Sequence, residues 1–240
     1  MTVVDPVRDE RGWAFGDGPG HSADPVNGFA FLSEAYAATD PSFAGRVTVP
    51  VLWDTESKRI VSNSDDDLLR MLNSEFSDSA TNAYDFYPAA LRAEIDEVNE
   101  LVYQRVNNGV YRAGFATRQR AYETAARQLF AALDELDERL SRGRYLLGDV
   151  MTEADWRLFP TLIRFDAVYH GHFKCNLRRI VDYPNLWPYL RDLYQHEGVR
   201  ETVEFDHIKR HYYVTHEQIN PTQIVPIGPE LDLDAPHGRG

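Results

Sequence analysis

Strand-like sequence stops early in this chain. β-branched and alternating apolar residues gather in Thr2–Val4, in Arg46–Trp53 (RVTVPVLW) and at Ile60–Val61, and from about residue 85 onward only helical spacing is left. Between the strands, Pro25–Ala38 carries helix-like apolar spacing at Phe29, Leu32, Ala35 and Tyr36, and Thr55–Lys58 reads as a turn. Asn63 or Ser64 can cap a helix whose first turn holds Asp65, Asp66 and Asp67, with Leu68, Leu69, Met71 and Leu72 as its buried face. Helical patterns then cover Ala89–Val106, Arg118–Leu140, Glu153–Val168, Leu186–His196 and Val199–His211. The second of these repeats apolar residues at Ala121, Ala125, Leu129, Ala132, Leu133, Leu136 and Leu140, the stripe of a helix packed in a bundle. The tail from Ile219 to Gly240 is rich in Pro and Gly and lacks periodicity. Two domains follow, 1–80 and 81–240, joined across the polar, turn-rich segment 77–88 (SDSATNAYDFYP).

Charge and cysteine content narrow the function. With 38 Asp and Glu against 25 Lys and Arg the net charge is −13. That field repels phosphate backbones and anionic headgroups, so neither nucleic acid nor a membrane surface is an expected partner. A single cysteine, Cys175, excludes an internal disulfide framework and any multi-cysteine zinc site. No apolar run reaches the length of a membrane span, and the N-terminal MTVVDPVRDERGW is charged where a secretory signal is apolar, so the expected compartment is the cytoplasm.

Several residues carry chemistry of their own. Pro50 interrupts RVTVPVLW: either the strand lies at an edge or bulges there, or the Val49–Pro50 peptide is cis and turns the Val49 N–H and C=O toward an extended ligand. Thr152-Glu153-Ala154-Asp155 reads as a capping box, with Met151 and Trp156 as the staple, which accounts for Asp155 without a catalytic role. His207, His211 and His216, with His170 and His172 upstream, include a His-x-x-x-His pair. No carboxylate or cysteine completes a zinc set, so packing or capping is expected and no metal. Cys175 has Lys174 beside it, and a cation lowers a thiol pKa, but free cysteine is among the most buried residue types and a structural role is expected. Tyr111 and Tyr212 stand out because a phenol stacks on an aromatic ring, donates to a departing aryl oxygen and stays protonated at neutral pH; core packing is the alternative.

Seven motifs occur in order: GWAF (Gly12–Phe15), DPSFAGRVTVPVLWD (Asp40–Asp54), VNNGVYRAGFA (Val106–Ala116), TEADWRLF (Thr152–Phe159), HFKCN (His172–Asn176), DYPNL (Asp182–Leu186) and HIKRHYY (His207–Tyr213). Together they resemble the glutathionyl-hydroquinone reductases, also called Xi-class glutathione transferases, over nearly the whole chain; VNNGVYRAGFA and HFKCN are specific to that family. The resemblance implies an α+β fold, an incomplete thioredoxin-like N-terminal domain followed by an all-α glutathione-transferase C-terminal domain. It implies a cis Pro50, and a helix N-terminus after the hairpin that receives the γ-glutamyl carboxylate of glutathione. Trp13, Val49, Pro50, Ser64 and Asp65 would then hold the thiol, with Trp13 covering it, and Tyr111 and Tyr212 would line the hydroquinone pocket. The implied co-substrate is glutathione or another low-molecular-weight thiol, with quinone conjugates as the other partner and a homodimer as the assembly.

The match also has departures. The family usually places Glu-Ser after the Asn that precedes this helix, where the present chain has Ser64 and Asp65. Asp65 could pair with the γ-glutamyl amine but repels the neighbouring carboxylate, which makes a thiol other than glutathione the alternative ligand. The family's nucleophile is a cysteine in a C-P-W-x-x-R motif at the start of the first thioredoxin helix, and no C-P-W occurs here. The first strand, first helix and nucleophile are therefore expected to be missing from an N-terminally truncated chain, leaving Thr2–Val4 and one edge of the Val47–Leu52 strand without ladder partners. The implied activity is reduction of S-glutathionyl-hydroquinones by thiol exchange, with no catalytic residue in these 240 positions and no turnover by this chain alone. The alternative is a non-catalytic glutathione-transferase-like binding or interaction module.

Overall fold

The computed structural model describes residues 1–80 and 84–240. In chain order its elements are α1 (Leu32–Thr39), β1 (Leu52–Asp54), β2 (Arg59–Ser62), α2 (Asp65–Ser74), α3 (Arg92–Leu101), α4 (Asn108–Gly114), α5 (Gln119–Leu140), α6 (Glu153–Arg164), α7 (Leu186–Tyr194) and α8 (Phe205–Thr215). Contacts gather into two units, Met1–Ala83 with Asp206–Gln223, and Tyr84–Phe205 with Ile224–Gly240. The expected linker 77–88 and the boundary after residue 80 involve residues 81–83, which lie outside the described residues.

In the first unit, α1 is eight residues long and begins well after Pro25. Asp24 is the reason. Its carboxylate accepts from the N–H groups of Val26, Asn27 and Phe29 at 3.0, 3.2 and 3.3 Å, an Asx turn that competes with helix. The helix starts where Glu34 reaches back to the N–H groups of Ala30 and Phe31 at 2.8 and 2.9 Å. β1 and β2 pair antiparallel, Trp53 opposite Ile60 and Asp54 opposite Arg59, with an irregularity after Leu52. Asp54 closes the connecting turn by accepting from the N–H groups of Glu56 and Ser57 at 3.0 and 3.2 Å.

The strand expected over Arg46–Trp53 is realised only at its end, in β1. The N–H and C=O of Thr48 are both taken by the Tyr36 hydroxyl, at 3.2 and 2.9 Å, so they are not available to a ladder. Thr2–Val4 is not a strand either, yet Val3 does not lack a backbone partner: its carbonyl accepts from the N–H of Ser22 at 3.2 Å. On α2, Leu68, Leu69 and Met71 are half-buried, but Leu72, expected on the buried face, is 63% exposed. The core of this unit is small. Leu32, Ala35 and Tyr36 are buried, and Trp13, Phe15, Phe29, Val47, Val51, Trp53 and Ile60 pack against them half-buried.

Contacts group Asp206–Gln223, which hold all of the last helix but its first residue, with this unit. That helix starts later than Val199. Gly198 at φ +82°, a 3-10 turn over Arg200–Thr202 and an extended Val203 interrupt the pattern before Phe205. The Arg8 N–H donates to Thr215 Oγ1 at 3.3 Å, and His211 Nδ1 lies 2.8 Å from the Pro6 carbonyl, tying α8 to the N-terminal segment.

The second unit follows the helical pattern closely. α3 and α4 form one rod through a π-helical stretch, Val102–Asn107, in which the Asn108 N–H bonds back to the Tyr103 carbonyl. A second π stretch, Phe165–Tyr169, extends α6. α5 buries Ala125, Leu129, Ala132, Leu133, Leu136 and Leu140 as its spacing requires, while Ala121 at its start is exposed. The expected capping box is present at α6, joining Thr152 and Asp155. α7 is started by Asp137, whose carboxylate accepts from the N–H groups of Asn185 and Leu186 at 2.9 and 2.8 Å. The aperiodic tail is held by side chains rather than by helix: Arg239 donates to the carbonyls of Leu140 and Arg144, and Gln195 to those of Leu233 and Ala235. Among the described residues no helix is long and apolar enough to cross a membrane.

Candidate functional site

The Val49–Pro50 peptide is cis. Val49 is 41% exposed, and Pro50 is exposed beside it. On the other side of the hairpin, Ser64 caps α2: its Oγ accepts from the Asp67 N–H at 3.2 Å, and its own N–H donates to Ser62 Oγ at 3.1 Å. Asp65, Asp66 and Asp67 follow in the first turn, where their charges complement the positive end of the helix dipole.

Thr48 and Asn63, the residues immediately before Val49 and Ser64, meet at one phenol. The Asn63 amide donates to the Tyr36 hydroxyl and to Thr48 Oγ1, each at 3.0 Å. Val49 and Ser64 are thereby brought together through their neighbours. Tyr36 had been legible only as an apolar position of α1, and its hydroxyl on that buried stripe was the available signal.

Trp13 and Tyr212 are also brought together, through a histidine. Trp13 stacks on His211 at 5.0 Å between centroids, and His211 meets Tyr212 edge-on at 5.0 Å. The Trp13 carbonyl accepts from the Leu32 N–H at 2.9 Å, which fixes the loop on the start of α1. Tyr212 is buried at 4% exposure, while Tyr213 beside it on α8 is half-buried. His207 Nε2 lies 2.6 Å from the Pro19 carbonyl, so His207 and His211 each hold an N-terminal loop. Among the described residues no group of three or more His, Cys, Asp or Glu is arranged to hold a metal.

Tyr111 lies in the second unit. It is 39% exposed at the head of an aromatic cluster, parallel to Phe115 at 6.3 Å and edge-on to Tyr169 and Phe173 at 6.0 and 5.5 Å. Cys175 is fully buried in the same unit, its Sγ 3.8 Å from the Phe173 carbonyl. Burial pushes its thiol up to about 12 against the opposing pull of Lys174, so it is neither exposed nor activated. His172 is held down to about 4, by burial first and Lys174 second. Asp155 is buried with its carboxyl raised by desolvation, although it accepts from the N–H groups of Leu146 and Thr152 and from the Tyr189 hydroxyl at 3.0, 2.8 and 2.8 Å. Those partners are structural, in keeping with its capping role.

Residues 119–192 match the family described as glutathione S-transferase, C-terminal domain. The chain is 51% identical over 240 residues to the glutathionyl-hydroquinone reductase YqjG of Escherichia coli (strain K12), covering 100% of this chain and 73% of that protein. The glutathione-bound structure of that protein superposes with a TM-score of 0.97 at 51% identity, covering 99% of this chain and 78% of that one. A Xi-class glutathione transferase from Natrialba magadii superposes equally well, TM-score 0.97 at 50% identity, covering 99% and 73%. The small two-stranded sheet with its helices and the helical remainder are accordingly parts of a glutathione-transferase fold, thioredoxin-like at the N-terminal side and helical beyond. The chain belongs to the glutathionyl-hydroquinone reductases, the Xi class of glutathione transferases.

Proposed function

We propose that this chain binds glutathione or a related low-molecular-weight thiol and serves the thiol-dependent reduction of S-glutathionyl-hydroquinones. The observation that carries the reading is the shared tether of Thr48 and Asn63 on Tyr36, which sets the exposed Val49 backbone and the capped N-terminus of α2 beside one anchor. A γ-glutamyl carboxylate would sit at that N-terminus near Ser64, where N–H groups and the dipole favour an anion. Asp65 would pair with the amine while repelling the carboxylate, so a thiol lacking one of these groups is an alternative ligand. Val49 would offer backbone hydrogen bonds, Pro50 its flank, and Trp13 the cover over the thiol. Tyr111 and Tyr212 are each proposed as contacts for an aromatic ring, by stacking or by phenol donation.

In the reaction, a thiolate attacks the sulfur of the conjugate. An S–S bond forms, the aryl C–S bond breaks, and the ring carbon leaves with the electron pair and takes a proton, giving the hydroquinone. A second thiol then attacks the conjugate-derived sulfur of the mixed disulfide, the S–S bond breaks and the first thiolate leaves, so one free thiol and the conjugate's own sulfur end as a disulfide while the ring is reduced. Cys175 is not suited to the attack, being buried with a raised pKa, and the reading uses a thiolate that these 240 residues do not hold. It also includes a homodimer, which sedimentation velocity checks.

Two measurements test the proposal. Calorimetry with reduced glutathione should give saturable binding, and incubation with a glutathionyl-hydroquinone should give turnover no faster than glutathione alone in solution. Rapid turnover by this chain would overturn the assignment of Cys175. Failure of both glutathione and its truncated analogues to bind would favour a non-catalytic interaction module.

A further inference from the structure

Tyr36 lies on the buried face of α1 at 5% exposure, and its hydroxyl uses the whole capacity of a phenol, one donated and two accepted hydrogen bonds. It donates to the Thr48 carbonyl at 2.9 Å and accepts from the Thr48 N–H at 3.2 Å and from Asn63 Nδ2 at 3.0 Å. Asn63 Nδ2 also reaches Thr48 Oγ1 at 3.0 Å, which closes the three side chains into a ring. The aromatic body of Tyr36 packs on Phe43 at 4.8 Å, a task that phenylalanine would perform without burying a hydroxyl. The hydroxyl is therefore explained by its partners, one in the segment before Val49 and one before the cap of α2.

We infer that Tyr36 is a positioning residue for the thiol site, its hydroxyl fixing the distance between the Val49 backbone and the N-terminal N–H groups of α2. The inference rests on the reading that Val49 and Ser64 contact the thiol. Tyr36 itself touches no ligand in this scheme. It acts because a ligand gripped at two points loses affinity when either point drifts by a fraction of an ångström. Thr48 meets the phenol through its backbone C=O and N–H at 2.9 and 3.2 Å, with its own Oγ1 farther off at 3.3 Å, so the arrangement depends on the Tyr36 hydroxyl more than on the Thr48 side chain.

The test is calorimetric titration with reduced glutathione, at a temperature well below the melting point of every variant, alongside thermal melts. Tyr36→Phe is expected to weaken binding roughly tenfold and Asn63→Ala about fivefold, while Thr48→Val, which keeps both backbone bonds to the phenol, loses less than Tyr36→Phe. A Tyr36→Phe protein with a lower Tm and the original Kd would show a purely structural hydroxyl and overturn the inference. If Tyr36→Phe does not fold, Asn63→Ala decides in the same way, since it cuts the tether to α2 while leaving the phenol in place. No saturable binding by the unsubstituted chain overturns the thiol-site reading and this inference with it; binding that all three variants retain overturns the inference alone.

Discussion

The two units reach order by different means. In the second unit, Ile95, Leu129, Leu133, Leu136, Leu158 and Leu162 are essentially excluded from water, and their helical spacing writes the packing into the sequence. In the first unit the buried apolar side chains gather in two small groups, Leu32, Ala35 and Tyr36 on α1 and Ile208 and Tyr212 on α8, and most of what packs on the α1 group is half-exposed. Its loops are held by carboxylates and hydroxyls on backbone groups: Asp24, Glu34, Asp54 and Tyr36 each accept from two or more N–H groups. Each such bond contributes about 0.5–1.5 kcal/mol net, against roughly 1.5–3 for burying a large apolar side chain. A unit built this way gains directional precision where a ligand is to be gripped and gives up depth of core.

The sharpest challenge to that contrast is a polar residue in the helical unit. Asp155→Ala should destabilise by about 4 kcal/mol in urea unfolding, because it strands the Leu146 and Thr152 N–H groups and the Tyr189 hydroxyl in a buried setting. A loss below about 1 kcal/mol would mean that the apolar helices need no polar tie. Next come matched leucine truncations. Leu133→Ala is expected to cost about 4 kcal/mol, since its rigid, fully buried surroundings cannot collapse, and Leu32→Ala about 2 kcal/mol, since half-exposed neighbours can move in. Equal losses at the two positions would break the comparison.

How much of this was legible follows the same division. The α5 stripe and the Thr152–Asp155 capping box are local periodic or short-range signals, and both appear where the sequence puts them, apart from the exposed Ala121 at the start of the stripe. Pro25–Ala38 shortened to α1 because Asp24 forms an Asx turn, a side-chain choice that apolar spacing does not encode. RVTVPVLW has strand composition, but Thr48 is claimed by a phenol 12 residues away, and no local pattern announces such a partner. At the candidate site the residues alone leave Val49–Pro50 open between an edge or bulge and a cis peptide, and the cap open between Asn63 and Ser64; only the family resemblance implies the cis form that is present, and the cap is Ser64. Tyr36 as their common anchor, and His211 as the platform under Trp13, were not, because each depends on pairing across the unit.

A smaller effect separates the units by pH. His172, in the helical unit, has its pKa held down to about 4 from an ordinary 6.5, so the fold favours its neutral ring. Its stabilising share is complete above pH 6.5, shrinks as pH falls from 6.5 toward 4, and is exhausted below that, because the unfolded chain takes up the proton first. Melting wild type and His172→Gln across pH 4–7 should show roughly 2 kcal/mol less acid destabilisation in the variant. Parallel pH profiles for the two proteins would remove burial of the ring as a source of acid sensitivity.

The smallest expected change in stability is the most informative about the site. Ser64→Ala removes the cap on Asp67 N–H and should cost about 1 kcal/mol. Ser64→Asp keeps an acceptor of the preferred type at the N-cap, and with it the helix, yet adds a fourth carboxylate to those of Asp65, Asp66 and Asp67 where the ligand carboxylate is proposed to lie. Stability and affinity should therefore part company: Ser64→Asp melts within about 0.5 kcal/mol of wild type while losing glutathione binding about tenfold or more. Binding that survives this substitution would place the ligand's anionic end away from α2, and the first unit's polar construction would then serve its own loops rather than a thiol.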